Sequence, residues 1–390
     1  MPDFDTDKLT WVESHFQENY NYGEGLPSTF EHALESADVF LDEYFDTVNL
    51  KSRAEVTDAL INSYIAVIED PYAVYRVAEK SSEYNETISG TFGGIGIVVE
   101  YNHTEKTVTV VSVNPGSPAE ASGLRAGDFI LGVDGRSITE IGYLNVVNHM
   151  RGEVGTTVFV TVERGGDIMG FACKRAVIEE KTVAYAVEDG IGYIAVSGFK
   201  KNTYRQFVEA VDALKEAKVS GVIFDMRNNP GGLVESVCGM VSYIVPSDNV
   251  IVSYEFNGKT AVITSEDDLL LEDGTSVDHT LDVPIVVICN EYTASSAEIF
   301  TSAIRDYRDM ELIEAKIVGK TTYKKGIMQS TYQYKDGSSL TYTMAYYNPP
   351  SGENYHGIGI KPDVTVDLAE SEDTQLKTAI DELKLLINAN

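Results

Sequence analysis

The spacing of apolar positions changes character along the chain, and each change marks a region. Up to about residue 72, apolar residues recur every three to four positions over residues 30–41 and 54–68, with Pro27 and Pro71 as punctuation, which predicts helices. From about Thr91 short runs take over, at residues 91–99, 108–113 and 129–135, separated by Gly- and Pro-rich turns. These predict strands. A short helix is expected over residues 145–150. Beyond residue 176 the two periods alternate. Strand 191–196 precedes a helix with Phe207, Val208, Val211 and Leu214 on one face, and strand 221–225 runs into a Gly-rich turn. The run 284–289 is continuously apolar and β-branched, as in a strand buried on both faces. From Ser296 the spacing of Ile299, Phe300, Ala303, Ile304 and Tyr307 turns helical at once. A strand-like alternation over 338–347 follows, and Leu376, Ile380, Leu383, Leu386 and Ile387 predict a terminal amphipathic helix.

Ser295 stands at the corner where strand 284–289 gives way to helix. A hydroxyl there lies beside unpaired backbone N–H groups and the positive end of the helix dipole, where an oxyanion formed at an attacked carbonyl could be stabilised. The same residues, Ser295-Ser296-Ala297-Glu298, also fit an ordinary capping box. What separates the two readings lies downstream, in residues 319–329, where lysines sit in a glycine-bounded turn before a strand-like run. A lysine serves as a base only when neutral. Bringing its pKa from ~10.4 to about 7 takes roughly 4–5 kcal/mol of differential desolvation, which an apolar pocket can supply. The turn after strand 221–225, residues 226–233, suggests a backbone cradle. It lacks both the Walker lysine pattern and the spaced Gly-x-Gly-x-x-Gly, so phosphate binding is disfavoured.

The block 293–298, Thr-Ala-Ser-Ser-Ala-Glu, followed by residues 319–329 resembles the serine and lysine motifs of the carboxyl-terminal processing (tail-specific) proteases, the S41 peptidase family. Matched position by position, the resemblance implies Ser295 as nucleophile, Lys325 as general base and Gln329 as the residue that orients the lysine. It further implies that Asp306 supports the site, and that the N–H of Ser296 and that of Gly231 or Gly232 donate to the oxyanion. The chain departs from the family pattern in having Lys324 where a glycine usually precedes the catalytic lysine, and in a slightly longer segment between serine and lysine. Asp70-Pro71-Tyr72 matches a further family element.

Residues 91–174 look like a PDZ domain. Glycines at 93, 94 and 96 free backbone N–H groups to hold a terminal carboxylate, and the edge strand expected at 95–99 can accept an extended peptide as an added strand. The peptide-binding candidates are therefore Gly94, Ile95, Gly96 and Ile97, with Val146 and His149 as possible groove walls. Asp225 with Arg227 reads as a buried structural pair, and His356 as a surface histidine.

At 390 residues and 43% apolar, the chain has material for two or three cored domains. Its formal charge of −31 argues against nucleic acid or anionic lipid as partner. Three irregularly spaced cysteines, Cys173, Cys238 and Cys289, predict buried unpaired thiols rather than a disulfide framework or a metal site. No apolar stretch reaches the ~18–20 residues of a membrane span, and the acidic start is no signal sequence. The resemblance implies an extracytoplasmic setting, with a signal or anchor segment removed. It also implies an α+β multidomain chain with a crotonase/ClpP-like ββα protease core, an inserted PDZ domain and an N-terminal helical region. The expected division is 1–72 helical, 73–90 linker, 91–175 PDZ, 176–366 protease core and 367–390 terminal helix. No cofactor or metal is expected. The partners implied are proteins with apolar C-terminal tails, and apolar arms at both ends make a homodimer plausible. The competing expectation is a catalytically inactive PDZ-containing scaffold that binds tails and uses Ser295 only as a helix cap.

Overall fold

The central strands of the sheet behind Ser295, Gly221–Asp225 and Ile285–Cys289, are buried at every position because both of their faces are covered. In the computed structural model, which describes residues 4–22, 52–256, 259–265, 281–369 and 371–389, this sheet has six strands. Their order is Val183–Glu188, Ile191–Val196, Gly221–Asp225, Ile285–Cys289, Ala315–Gly319 and Val364–Thr365. The first pair is antiparallel and the others are parallel. Strand side chains alternate faces. Val222, Phe224, Ile285, Val287 and Ile317 therefore join the core with Phe207, Val237 and Phe300 of helices Thr203–Ala217, Val234–Ser242 and Ser296–Asp309. Ile223, Val286, Ile288 and Val318 pack instead with Ala379 and Leu383 of helix Thr374–Ala389, so the terminal helix covers its own sheet.

The chain divides into two compact units, residues 1–88 with 182–390, and residues 89–181. The first unit also holds an antiparallel sheet containing Val74–Arg76, Val250–Phe256, Lys259–Thr264, Ile327–Gln333 and Ser339–Asn348. Helices Thr6–Asn19 and Arg53–Val67 pack on it through Leu9, Phe16, Leu60, Tyr64, Leu340 and Tyr342. The helix expected at 54–68 is thus present, started by a Ser52/Glu55 capping box. The one expected at 30–41 lies outside the described residues. Residues 73–90, expected as a linker, contain a strand paired to residues 339–341 and helix Ala78–Ser89. That helix buries only Ser81, so it leaves no apolar period to read in the sequence.

The second unit is built on strands Ile97–Asn102, Thr107–Val113, Phe129–Val133, Thr157–Arg164 and Asp167–Lys174. Ile97–Asn102 is an edge strand, paired on one side only. It begins two residues later than its sequence suggests, because Gly96 takes a left-handed φ of 78° in the preceding turn and Ile95 is buried there. Gly94 ends strand Thr91–Gly94, and helix Val146–Met150 lies where it was expected. All three cysteines are buried and free. No helix among the described residues is long and apolar enough to cross a membrane.

Candidate active site

Two neighbouring parallel strands, Gly221–Asp225 and Ile285–Cys289, end at the same edge of the sheet, and the loops that leave them are tied together. Asn228 donates its N–H to Asn290 Oδ1 at 3.0 Å, and the Asn290 amide donates back to Asn228 Oδ1 at 2.9 Å. Thr293 Oγ1 donates to the Met226 carbonyl, and Ala294 N–H to that of Asn229. Crevices outside the carboxyl ends of parallel strands are where α/β sheets place ligands. Gly231 lies closest to the serine. A Cβ added there would sit 2.8 Å from Ser295 Cβ and 3.0 Å from Ser296 N, and its φ is 98°, so only glycine fits.

The capping box expected of Ser295 and Glu298 is present, but its backbone is not that of an ordinary cap. Ser52, Ser117 and Ser137 cap helices of this same chain with φ of −136°, −78° and −71°. Ser295 instead stands at φ 56°, ψ −119°. A non-glycine residue held there stores about 1–3 kcal/mol of strain, which persists only where the surroundings enforce it. Glu298, one turn into the helix, is fully buried beneath this corner. Its Oε2 accepts the Ser295 N–H at 3.0 Å and the Lys325 N–H at 2.8 Å; its Oε1 accepts the Lys324 N–H at 2.8 Å and the Thr322 hydroxyl at 2.5 Å. One oxygen atom therefore holds the peptides of both Ser295 and Lys325. Burial raises the Glu298 carboxyl's pKa, against the pull of these four donors. Sequence reasoning saw Glu298 only as half of a capping box. Its local signal ends there, because the other three donors come from residues 322–325.

Lys325 directs its ammonium to Gln329 Oε1 at 2.7 Å. Burial lowers its pKa from the ordinary lysine value, while the carboxylates of Asp70 and Glu298 pull it back up. Lys324 is exposed, so the two adjacent lysines differ in surroundings and only Lys325 is drawn into the protein. The departure at Lys324 also acquires a physical meaning. Its φ is 84°, in the region that favours glycine. Lys324→Gly is therefore expected to relax the turn and gain up to about 1 kcal/mol, whereas a β-branched Lys324→Val should lose at least ~1 kcal/mol. Urea unfolding midpoints of the two variants check this, and equal midpoints would count against a strained turn.

Gly231 donates its N–H to Asn229 Oδ1 at 2.9 Å, so that donor is engaged. The trans peptide between Gly231 and Gly232 turns its carbonyl toward Phe199 N–H, which leaves the Gly232 N–H projecting from the other side. The Ser296 hydroxyl donates to the Gly232 carbonyl at 2.8 Å, and the Ser296 N–H starts the helix. Asp306 is buried and paired with Arg305, and accepts the Ser351 N–H at 2.9 Å; it anchors the 349–352 turn and makes no bond to Ser295 or Lys325. Asp225 and Arg227 form a close pair at 2.6 Å that Asp373 and Tyr193 extend. His356, expected at the surface, is only partly exposed and packs in a ring cluster with Tyr22, Tyr72 and Tyr346. Gly94, Ile95, Gly96 and Ile97 belong to the other unit.

Comparison with known proteins matches residues 190–366 to peptidase family S41 and residues 93–174 to the PDZ domain. Over 321 residues the chain is 33% identical to the "Probable CtpA-like serine protease" of Staphylococcus haemolyticus (strain JCSC1435), covering 82% of this chain and 62% of that protein. It is 34% identical over 322 residues to the protein of the same name from Staphylococcus aureus (strain bovine RF122 / ET3-1), covering 83% and 62%. The chain thus spans about 62% of the length of these relatives. Among solved structures, "Putative S41 protease from Bacteroides fragilis NCTC 9343" shares the fold along the whole of both chains, with a TM-score of 0.59 at 14% identity.

Proposed function

We propose that this chain, which matches peptidase family S41 over residues 190–366 and the PDZ domain over residues 93–174, is a serine endopeptidase that captures proteins by their C-terminal tails. The observation that carries this reading is the single Glu298 oxygen that receives the N–H groups of both Ser295 and Lys325. A serine that merely capped its helix would need neither that tie nor a φ of 56°.

Ser295 Oγ attacks the scissile carbonyl carbon while neutral Lys325 Nζ takes its proton, and Gln329 Oε1 holds the ammonium that forms. The N–H groups of Ser296 and Gly232 stabilise the oxyanion; the engaged Gly231 N–H favours Gly232 over its neighbour. Collapse of the tetrahedral intermediate breaks the C–N bond. Lys325 returns its proton to the leaving amine, and an acyl ester remains on Ser295. Water then attacks that ester, gives a proton to the same lysine, and releases the acid. A tail would add as a strand to the free edge of Ile97–Asn102, with its carboxylate at the turn from Gly94 to Ile97. Capture at a second site raises the local concentration of the segment to be cut. The resemblance also supports work outside the cytoplasm.

The test compares wild type with Ser295→Ala on an unfolded reporter ending in an apolar tail, reading cleavage and tail binding separately. Turnover should fall by about 10³-fold or more with binding intact. Unchanged turnover would sink Ser295 as nucleophile. A wild-type chain that binds tails and cleaves nothing would instead be the scaffold.

A further inference from the structure

The Gln329 side chain carries an acceptor and a donor that differ only in which way the amide faces. Its Nε2 lies 2.7 Å from the backbone carbonyl of Tyr72, which can only accept, and its Oε1 lies 2.7 Å from Lys325 Nζ. Turning the amide over would set two acceptors against each other at Tyr72 and, whenever Lys325 is protonated, two donors against each other at the lysine. The same Tyr72 presents its ring face to Lys325, with Nζ 4.9 Å from the ring centroid. We propose that Tyr72 is a positioning residue for the general base: its carbonyl decides which way the Gln329 amide faces, and its ring covers the lysine nitrogen. The catalytic half of this inference rests on Lys325 being the base.

Tyr72 is built to hold still. Asp70, 6% exposed, accepts the Tyr72 N–H on Oδ1 at 2.8 Å and the Thr343 N–H on Oδ2 at 3.1 Å, which pins the loop to strand Ser339–Asn348. Pro71 stiffens the residue between them. The ring is wedged edge-on by Tyr22 at 5.8 Å and His356 at 6.4 Å. Residues that precede the base by more than 250 positions thereby complete its surroundings.

The groups facing Lys325 have opposing effects. Asp70 from the loop and Glu298 from the helix favour the ammonium, and burial disfavours it most. Near the ring are the phenols of Tyr22 and Tyr323 and the imidazole of His356. A ring over a cation can act in two ways. It excludes water, which lowers the lysine pKa, or it attracts the ammonium through its π face, which raises it. Burial outweighs the two carboxylates at this lysine, and the ring 4.9 Å from Nζ is part of what buries it. Removing the ring should readmit water and move the pKa up.

The experiment titrates Lys325 directly. Tyr72→Ala and Tyr72→Phe are labelled with a small amine-acylating reagent across pH and read by mass spectrometry, with Lys324 as internal reference. In Tyr72→Ala the Lys325 pKa should rise by about 1, a tenfold loss of neutral amine near pH 7. The acid limb of kcat/KM should follow it upward with KM little changed, and Tyr72→Phe should match wild type. An unchanged or lowered Lys325 pKa in Tyr72→Ala overturns the proposal. Where the alanine variant melts early, Tyr72→Val shortens the cover and keeps an apolar side chain; it should show the same upward shift, and no shift overturns the proposal equally. Lys325→Ala that still cleaves the reporter would sink the base assignment and the catalytic half with it. The direct titration separates that failure from a failure of the cover.

Discussion

Lys325→Ala is expected to lower kcat/KM by about 10³-fold or more, while Lys324→Ala keeps most of the wild-type value. Both lysines lie in one turn; Lys325 is the one drawn in to Gln329, and burial lowers its pKa. The sign of the pH dependence follows. Activity needs the neutral amine, so kcat/KM should rise with pH through the pKa of Lys325 and level off above it. Because burial lowers that pKa, the rise should fall below the ordinary lysine range near ~10.4. Rate profiles of wild type and both variants on one tailed reporter, between pH 6 and 10, measure this. Equal losses in the two variants would mean that the turn, rather than one buried amine, was disturbed. A wild-type profile still climbing at pH 10 would leave Lys325 an ordinary lysine and remove the reason to name it the base.

Glu298→Ala should cost about 3–5 kcal/mol of stability and leave no measurable cleavage. Four donors point at this one carboxylate, and each donor left buried without a partner costs about 1–3 kcal/mol, less whatever water can repair. The peptides of Ser295 and Lys325 would also lose the oxygen that they share. Glu298→Gln separates stability from catalysis. It keeps the shape and one acceptor oxygen but turns an NH₂ group toward backbone N–H donors. We expect a smaller stability loss, about 1–3 kcal/mol, with kcat/KM still down by ~10²-fold. Urea unfolding alongside reporter cleavage resolves the two. A Glu298→Ala chain as stable and active as wild type would show that the carboxylate holds neither peptide in solution.

The corner at Ser295 was legible because its signals are local. A β-branched run ending in Cys289, then apolar residues at Ile299, Phe300, Ala303 and Ile304, mark strand and helix whatever surrounds them. The contact between Lys325 and Gln329 was legible from their spacing, and the edge strand of the PDZ unit by its glycines, with an error of two residues where Gly96 turns. Helix Ala78–Ser89 was not legible, since it buries one serine and carries no apolar period. His356 read as a surface residue because the rings that enclose it come from Tyr22, Tyr72 and Tyr346.

By itself the sequence determined which elements bear or adjoin Ser295, Lys325 and Gln329, because residue type and period act over a few positions. Tertiary structure alone decided which of two lysines is drawn in to Gln329, which glycine N–H is engaged by Asn229, what Glu298 holds and which ring faces Lys325. Each of those depends on bonds between segments distant along the chain: residues 322–325 to Glu298, Asn229 beside the serine loop, and Tyr72 to Gln329. Desolvation and hydrogen-bond partnership are properties of what lies nearby in space, and only the folded chain sets that.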